Sequence, residues 1–445
     1  MRVSAAVLCS LCAVPGNFAG AGEPPPAAAQ AYSLPVPGLD AAQLERFANG
    51  RQEFHQRWVV MPSIGGKWGR GPTSNAEQCI DCHVNNGRGR APDSRIEPLS
   101  SMVVRLSLPG EDEHGGPRPH PDYGDQLQTQ GELGRVPAEG TAAIEWLDHD
   151  EALADGTVVT LRLPRLIVGH LAFGDLGRDI LTSVRIAPPA FGAGLLDAVD
   201  EAQLAENASR QRALGFNGRL NYVWDAQKQA RAVGKFGWKA SQPGLGQQDA
   251  SAFLNDMGVT TRVFMHDNCP GRQAACRKHP LGLVPEQQDR PFGELVFYTQ
   301  ALAAPAPRDP EDATVLRGER LFAEAQCAAC HVPQMRTGDY PGLPALARQV
   351  IRPYTDLLLH DMGEGLADGR PDFLAGPRDW RTPPLWGLGL SRAVNGNAAL
   401  LHDGRARNVT EAVLWHGGEA QRSRDAFRAM SAADRAALIA FVESI

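Results

Sequence analysis

The sequence predicts a mainly α protein of two similar helical units, with a β-rich insert in the first. Three observations predict it. The pentapeptide Cys-x-x-Cys-His occurs twice, as Cys79 to His83 (CIDCH) and Cys327 to His331 (CAACH). Each copy is followed by a Pro-Pro segment and then a helix-forming segment. These are RIAPPAFGAGLL from Arg185 and GWKASQPGLGQQDASAF from Gly237, then RTPPLWGLGL from Arg381 and LHDGRARNVTEAVLWHG from Leu401. That is an internal repeat. Between the first pentapeptide and its Pro-Pro segment, residues from about 100 to 185 gain β-branched side chains and partial alternation, the texture of strands.

The pentapeptide carries chemistry. It is the attachment signature of a c-type haem. Two thiols add to the two vinyl groups of one porphyrin, and the adjoining His reaches the iron as proximal ligand. Cys79, Cys82 and His83 would hold one group, and Cys327, Cys330 and His331 the other. The alternative is a zinc knuckle or a redox dithiol. It leaves unexplained a His directly after both second cysteines in a chain of only 12 His.

The chain has 445 residues, 43% of them hydrophobic, enough for two cores. A net charge of −7 gives no sign of nucleic-acid binding. Residues 1–21 read as a signal peptide: Arg2, a short apolar run from Val3 to Val14, and Ala19-Gly20-Ala21 as the cleavage site. That run is too short to span a membrane, and no later stretch is long and apolar enough. The expectation is export to the periplasm. Cys9 and Cys12 leave with the signal. After the four haem thiols, Cys269 and Cys276 remain, and an oxidising compartment favours a disulfide between them.

In chain order, residues 22–40 are a Pro/Ala-rich linker. The first unit spans 41–304. It opens on a helical pattern, Leu44, Phe47, Phe54 and Trp58, with Asp40 as candidate N-cap. In the insert, Ser101 to Leu108, Thr141 to Leu147 and Thr157 to Leu163 read as strands. His114 and His120 fall in a Pro/Gly loop and read as solvated. Ala304 to Pro310 (APAPRDP) is the linker between units. The second unit, 311–445, opens on the amphipathic stretch Ala313 to Ala325, in which Gly318 and Phe322 lie one turn apart, and closes on Ser431 to Ser444 with Ser431 as N-cap.

Five segments resemble the bacterial di-haem cytochrome c peroxidase superfamily, and most closely its di-haem oxidoreductase branch. They are NAEQCIDCHVNNGRG, GKFGWKASQPGLGQQ, DLLLHDMGEGLADGR, RTPPLWGLGL and LLHDGRARNVTEAVLWHGGEA. The resemblance implies two cytochrome c-like helical domains facing each other, each binding one haem c. In that superfamily the C-terminal haem receives electrons and is six-coordinate, and the N-terminal haem takes peroxide on an open face. The second iron ligand of the C-terminal haem falls, on this sequence, at His416, with Met362 as runner-up. His360 and His402 are expected to hold loops by hydrogen bonds. The matching position of the first unit is Ala252, which cannot bind iron. A distal Gln of the peroxidases matches Gln248. Their distal Glu has Asp256 as its nearest counterpart, on a loop two residues shorter. His170 and His266 are other candidates for that face. Trp238 matches a tryptophan between the haems, a plausible electron relay.

The expected function is therefore an exported di-haem oxidoreductase of peroxidase type. It would use two covalently bound haem c and take electrons from a small cytochrome or cupredoxin, with peroxide as oxidant. Calcium is left open, since no motif shows it. Two alternatives stand beside it: a non-catalytic electron-transfer cytochrome with both irons six-coordinate, and dioxygenase-like oxygen chemistry. An open first haem separates the catalytic readings from the carrier.

Overall fold

The computed structural model describes residues 30–93, 97–279 and 284–445. The expected signal peptide and the first part of the linker lie outside the described residues. Two helix pairs frame the two pentapeptides. Helix Ala41–Phe54 packs on Asp289–Ala301, and Ala313–Glu324 packs on Ala432–Ser444. The first begins at a capping box. The Gln43 backbone N–H donates to the Asp40 carboxylate at 2.8 Å, and the Asp40 N–H donates to the Gln43 side chain at 3.0 Å. Two otherwise unpaired helix-end donors are thereby satisfied. Asp312 and Ser431 cap the other pair.

Each pair crosses at a glycine. A Cβ on Gly50 would lie 2.0 Å from the Glu294 carbonyl oxygen, and one on Gly318 would lie 2.0 Å from that of Ala437. Only a residue without a side chain lets the backbones approach so closely. One turn further on, buried Phe54 and Phe322 bring their rings within 6.1 Å of His83 and 6.3 Å of His331. The same Gly-x-x-x-Phe device sets both motif histidines. Gly318→Ala is expected to lower stability by about 1–3 kcal/mol, the cost of overpacking. It would be read as a lower urea midpoint at unchanged slope. An unchanged midpoint would show that this crossing tolerates a methyl group.

The expected mainly α chain of cytochrome c-like helical domains is corrected by the structure. Helix makes up 32% and strand 20%, with several small antiparallel sheets. Strands also occur well beyond the segment read as β-rich. Tyr222–Asp225 pairs with Ala230–Val233, Met335–Arg336 with Val350–Ile351, and Leu359–Asp361 with Asp379–Arg381. The physical reason is length. Strands of two to four residues are too short to show alternation, yet they supply partners for the backbone groups of long connections.

Between residues 102 and 186, Met102–Glu111 pairs antiparallel with Leu181–Ile186, from Met102↔Ile186 to Ser107↔Leu181. Thr141–Ala152 and Val158–Gly169 form a long two-stranded ribbon, Thr141↔Gly169 through Ala152↔Val158. It turns at Asp155-Gly156, where the glycine takes φ +84°. The ribbon lies on the C-terminal part of the chain. Arg435 bonds Asp155 at 2.5 Å, and Arg407 bonds the Thr160 carbonyl at 2.5 Å. Cys269 and Cys276 form a disulfide with their Cα atoms 5.6 Å apart. No helix among the described residues is long and apolar enough to cross a membrane.

Candidate functional site

Each pentapeptide opens onto a cavity. The first, of about 260 Å³, is lined by Cys79, Cys82 and His83 and, across from them, by helix Leu245–Met257. The second, of about 160 Å³, is lined by Cys327, Cys330 and His331 and by residues of the segment Val409–His416. The repeat places these two walls alike. Gly244 and Asn408 are extended N-caps with the same φ of −161°, and Leu245 and Val409 each open a helix.

The four motif cysteines are free thiols. Desolvation raises the pKa of all four, that of Cys327 to about 12. They stand apart from Cys269 and Cys276, which are joined to each other.

The second cavity brings His331 and His416 together. His331 Nδ1 lies 2.9 Å from the Tyr354 carbonyl oxygen, and His416 Nδ1 lies 2.7 Å from that of Ala412. A carbonyl only accepts, so each Nδ1 carries the proton and each Nε2 keeps its lone pair. Desolvation pushes the His331 pKa down to about 4, the Tyr354 carbonyl opposing and the nearby His416 ring adding to the fall. Desolvation lowers His416 as well. Both rings are thus neutral bases facing one enclosed space. Met362 lines the same cavity.

The other two histidines of that cavity are held by neighbours. His360 sits between two carboxylates, with Nε2 2.9 Å from Asp356 and Nδ1 3.0 Å from Glu419. Burial alone would lower its pKa, but Asp356, then Cys330 and Glu419, hold it well above the usual value. Its proximity to Cys330 brings Cys330, Asp356 and His360 within 4.8 Å of one another. The cysteine belongs to the pentapeptide and the imidazole is already spoken for by the two acids. His402 stacks on Trp380, ring centroids 3.6 Å apart at 11°.

The first cavity is different. Among its lining residues His83 is the one imidazole, and Ala252 occupies the place of His416. Met257, its one thioether, is buried at the C-terminal end of the helix. His170 and His266 are exposed and line neither cavity. Desolvation lowers the His83 pKa, and the Pro188 backbone opposes this without a well-formed hydrogen bond to Nδ1. Gln248, Asp249 and Asp256 line the wall opposite. Asp256 is half-buried, and the cavity is the open space it lines. Gln126 Nε2, from the strand-rich region, donates to its Oδ1 at 2.9 Å. Desolvation raises the Asp256 pKa, with that bond opposing. Asp249 is raised to about 8 by desolvation, with the Thr299 hydroxyl opposing at 2.8 Å and Asp197 adding to the rise.

The family described as di-haem oxidoreductase, putative peroxidase, matches residues 26–445. The chain belongs to this family. No curated protein matches it. Among solved structures, a hydrazine synthase of Kuenenia stuttgartiensis, pressurised with xenon, is similar at 12% identity, with 100% of this chain and 99% of that chain covered and a TM-score of 0.37. At that distance the likeness carries no argument about fold or reaction.

As a di-haem oxidoreductase the chain carries haem cofactors, and its residues fit them. Each motif presents one histidine and two free thiols to its own cavity, the donor set that a haem would take. In this di-haem oxidoreductase the cavities share a wall: Arg88, Trp238, Arg381, Pro383 and Pro384 line both. Trp238 is buried, donates Nε1 to the Ile186 carbonyl at 2.8 Å and lies under the Arg88 guanidinium at 5.2 Å.

Sequence reasoning missed Asp249, Arg88, Arg381 and Gln126. Asp249 had a signal. Leu245, Asp249, Ala252 and Asp256 fall at i, i+4, i+7 and i+11, one face of a helix. Arg381 heads the repeated Pro-Pro segment, as Arg185 heads the first. Arg88 and Gln126 had none.

Proposed function

We propose that the chain is an exported di-haem c enzyme that reduces peroxide at the His83 cavity with electrons received at the His331 cavity. The observation that carries this reading is the asymmetry of two otherwise repeated cavities. One offers a second imidazole, His416, opposite the motif histidine. The other has Ala252 there and acids beside it. In this reading Cys79, Cys82, Cys327 and Cys330 form thioethers, and His83 and His331 bind iron from one side. His416 takes the second position at His331 ahead of Met362, because its Nδ1 is already committed and its Nε2 is free.

When bound, haem supplies an iron that accepts electrons singly and polarises a peroxide oxygen. The chain's own residues do the rest. The Gln248 amide makes no side-chain hydrogen bond among the described residues, so it can hold an oxygen of the oxidant. Asp256 can take the proton of one peroxide oxygen and return it to the other, since desolvation raises its pKa and makes it a stronger base than an ordinary carboxylate. Trp238 stands in the shared wall as relay. The signal-like start of the chain supports a periplasmic site, where a small cytochrome or cupredoxin would be the donor.

The reading is tested on protein from cells competent in haem c assembly. Mass spectrometry is expected to show two haem additions per mature chain, and cyanide is expected to bind one haem of the two. The bare polypeptide mass would sink covalent attachment. Failure of cyanide and carbon monoxide to bind either haem would leave an electron carrier.

A further inference from the structure

We infer that Arg88 and Arg381 each hold a propionate carboxylate of the bound haems, forming one cationic clamp in the wall between the two cavities. The inference rests on the di-haem reading above. Thioether attachment keeps the vinyl edge of a haem at its pentapeptide. The opposite edge, with two propionates, must then find partners elsewhere in the protein.

The arginines sort themselves by partner. Those lining the first cavity are Arg88, Arg105, Arg185 and Arg381; those lining the second are Arg88, Arg381 and Arg424. Arg105 pairs with Asp125 at 2.5 Å, Arg185 with Asp372 at 2.6 Å and Arg424 with Asp425 at 3.5 Å. Arg88 and Arg381 make no ion pair among the described residues, and they are the two that both cavities share. They are also deeply buried, 8% and 7% exposed. A buried guanidinium without a counter-charge is strongly unfavourable, and proteins rarely keep one.

Burial lowers both pKa values to about 10, which leaves both groups charged at neutral pH. The Asp356 charge that favours protonated Arg381 is already engaged by His360. The hydrogen bonds they make go to carbonyls. Arg88 Nη1 donates to Leu401 at 3.2 Å; Arg381 donates from Nε to Gly237 at 3.0 Å and from Nη1 to Thr382 at 3.2 Å. A guanidinium has five N–H donors in a planar fork, so each keeps donors free, in the geometry that suits a carboxylate.

The clamp also reaches Trp238. Arg88 lies over its ring at 5.2 Å, and the Arg381 backbone N–H donates to the Trp238 carbonyl at 2.9 Å. Both arginines therefore meet the same residue, Arg88 at its ring and Arg381 at its backbone carbonyl, which would set the spacing between the two haems.

The test uses holoprotein bearing Arg88→Gln or Arg381→Gln, with midpoint potentials from spectroelectrochemical titration and propionate bands from resonance Raman. Each change is expected to keep two haems. It should move at least one ferric/ferrous equilibrium about tenfold toward ferric, about 59 mV for one electron, and shift the propionate bands. Arg88→Lys, which keeps the charge but not the fork, is expected to restore the potential while the bands stay shifted. Arg424→Gln, whose cation already has Asp425, should move either equilibrium by less than about threefold. Full haem content with unchanged potentials and bands in both Gln variants would overturn the clamp. If a Gln variant fails to retain haem, Arg88→Lys decides alone, since unchanged bands there would overturn it. Wild-type protein without haem would overturn the di-haem reading itself.

Discussion

Asp256→Asn is expected to cut peroxide turnover by about 10²–10⁴-fold while both haems stay attached and reducible. The substitution keeps the shape of the side chain and can still accept the Gln126 amide, which sits 2.9 Å from Oδ1. It removes the carboxylate's charge and with it the capacity to carry a proton. Steady-state rates with a reduced donor would measure the loss, and a visible spectrum would confirm both haems. The pH profile adds a sign. As acceptor, Asp256 must be ionised, so turnover should rise with pH through its raised pKa, and that limb should vanish in the variant. Asp249, with a pKa of about 8, is mostly protonated at neutral pH and cannot serve as the first acceptor there. Asp249→Asn is therefore expected to cost less. Full turnover in Asp256→Asn would leave the open haem in place and move the proton route, with Asp249 the next residue to test.

The parts of this protein legible in its sequence are those set by short-range chemistry. Two thiols and a His at fixed spacing mark the cavities because porphyrin attachment demands that spacing. Asp40 and Ser431 mark helix starts because a helix end needs its donors paired, and both cap as local pattern implies. The repeat is legible enough to align Leu245 with Val409, and both open helices. Strand content was underestimated because pairs such as Leu359–Asp361 with Asp379–Arg381 are made by residues far apart in sequence and too few to alternate. The Gly50 crossing escaped notice although it repeats the Gly318 spacing, because a lone glycine in a helical pattern is ordinary until its neighbour across the pair is known.

The site divides in the same way. His416 and Ala252 could be compared by register alone. Gln126 could not be tied to Asp256, since they meet across a separation of 130 residues, through a strand-rich region whose packing no local pattern encodes. Arg88 and Arg381 look like surface arginines in a sequence with 44 Lys and Arg. Only burial without a carboxylate partner distinguishes them, and that is a property of the folded chain.

Exchanging the two matched positions should exchange the character of the two cavities. Ala252→His puts an imidazole opposite His83, on a helix that starts in the same register as the one before His416. Its Nδ1 could donate to the carbonyl four residues back, as His416 does to Ala412 at 2.7 Å, which leaves Nε2 to close the iron. The first haem should become low-spin and cyanide should bind slowly or not at all. If the closed form is favoured by about 4 kcal/mol, the oxidant meets an open iron about a thousandfold less often, and turnover falls by that factor. His416→Ala should do the reverse at the second haem, converting a low-spin signal to high-spin without loss of the group. An unchanged low-spin spectrum there would give the second position to Met362, which lines the same cavity. Unchanged turnover in Ala252→His, with the first haem still high-spin, would show that the helix Leu245–Met257 does not present that position to the iron, and the asymmetry would have to arise elsewhere in the wall.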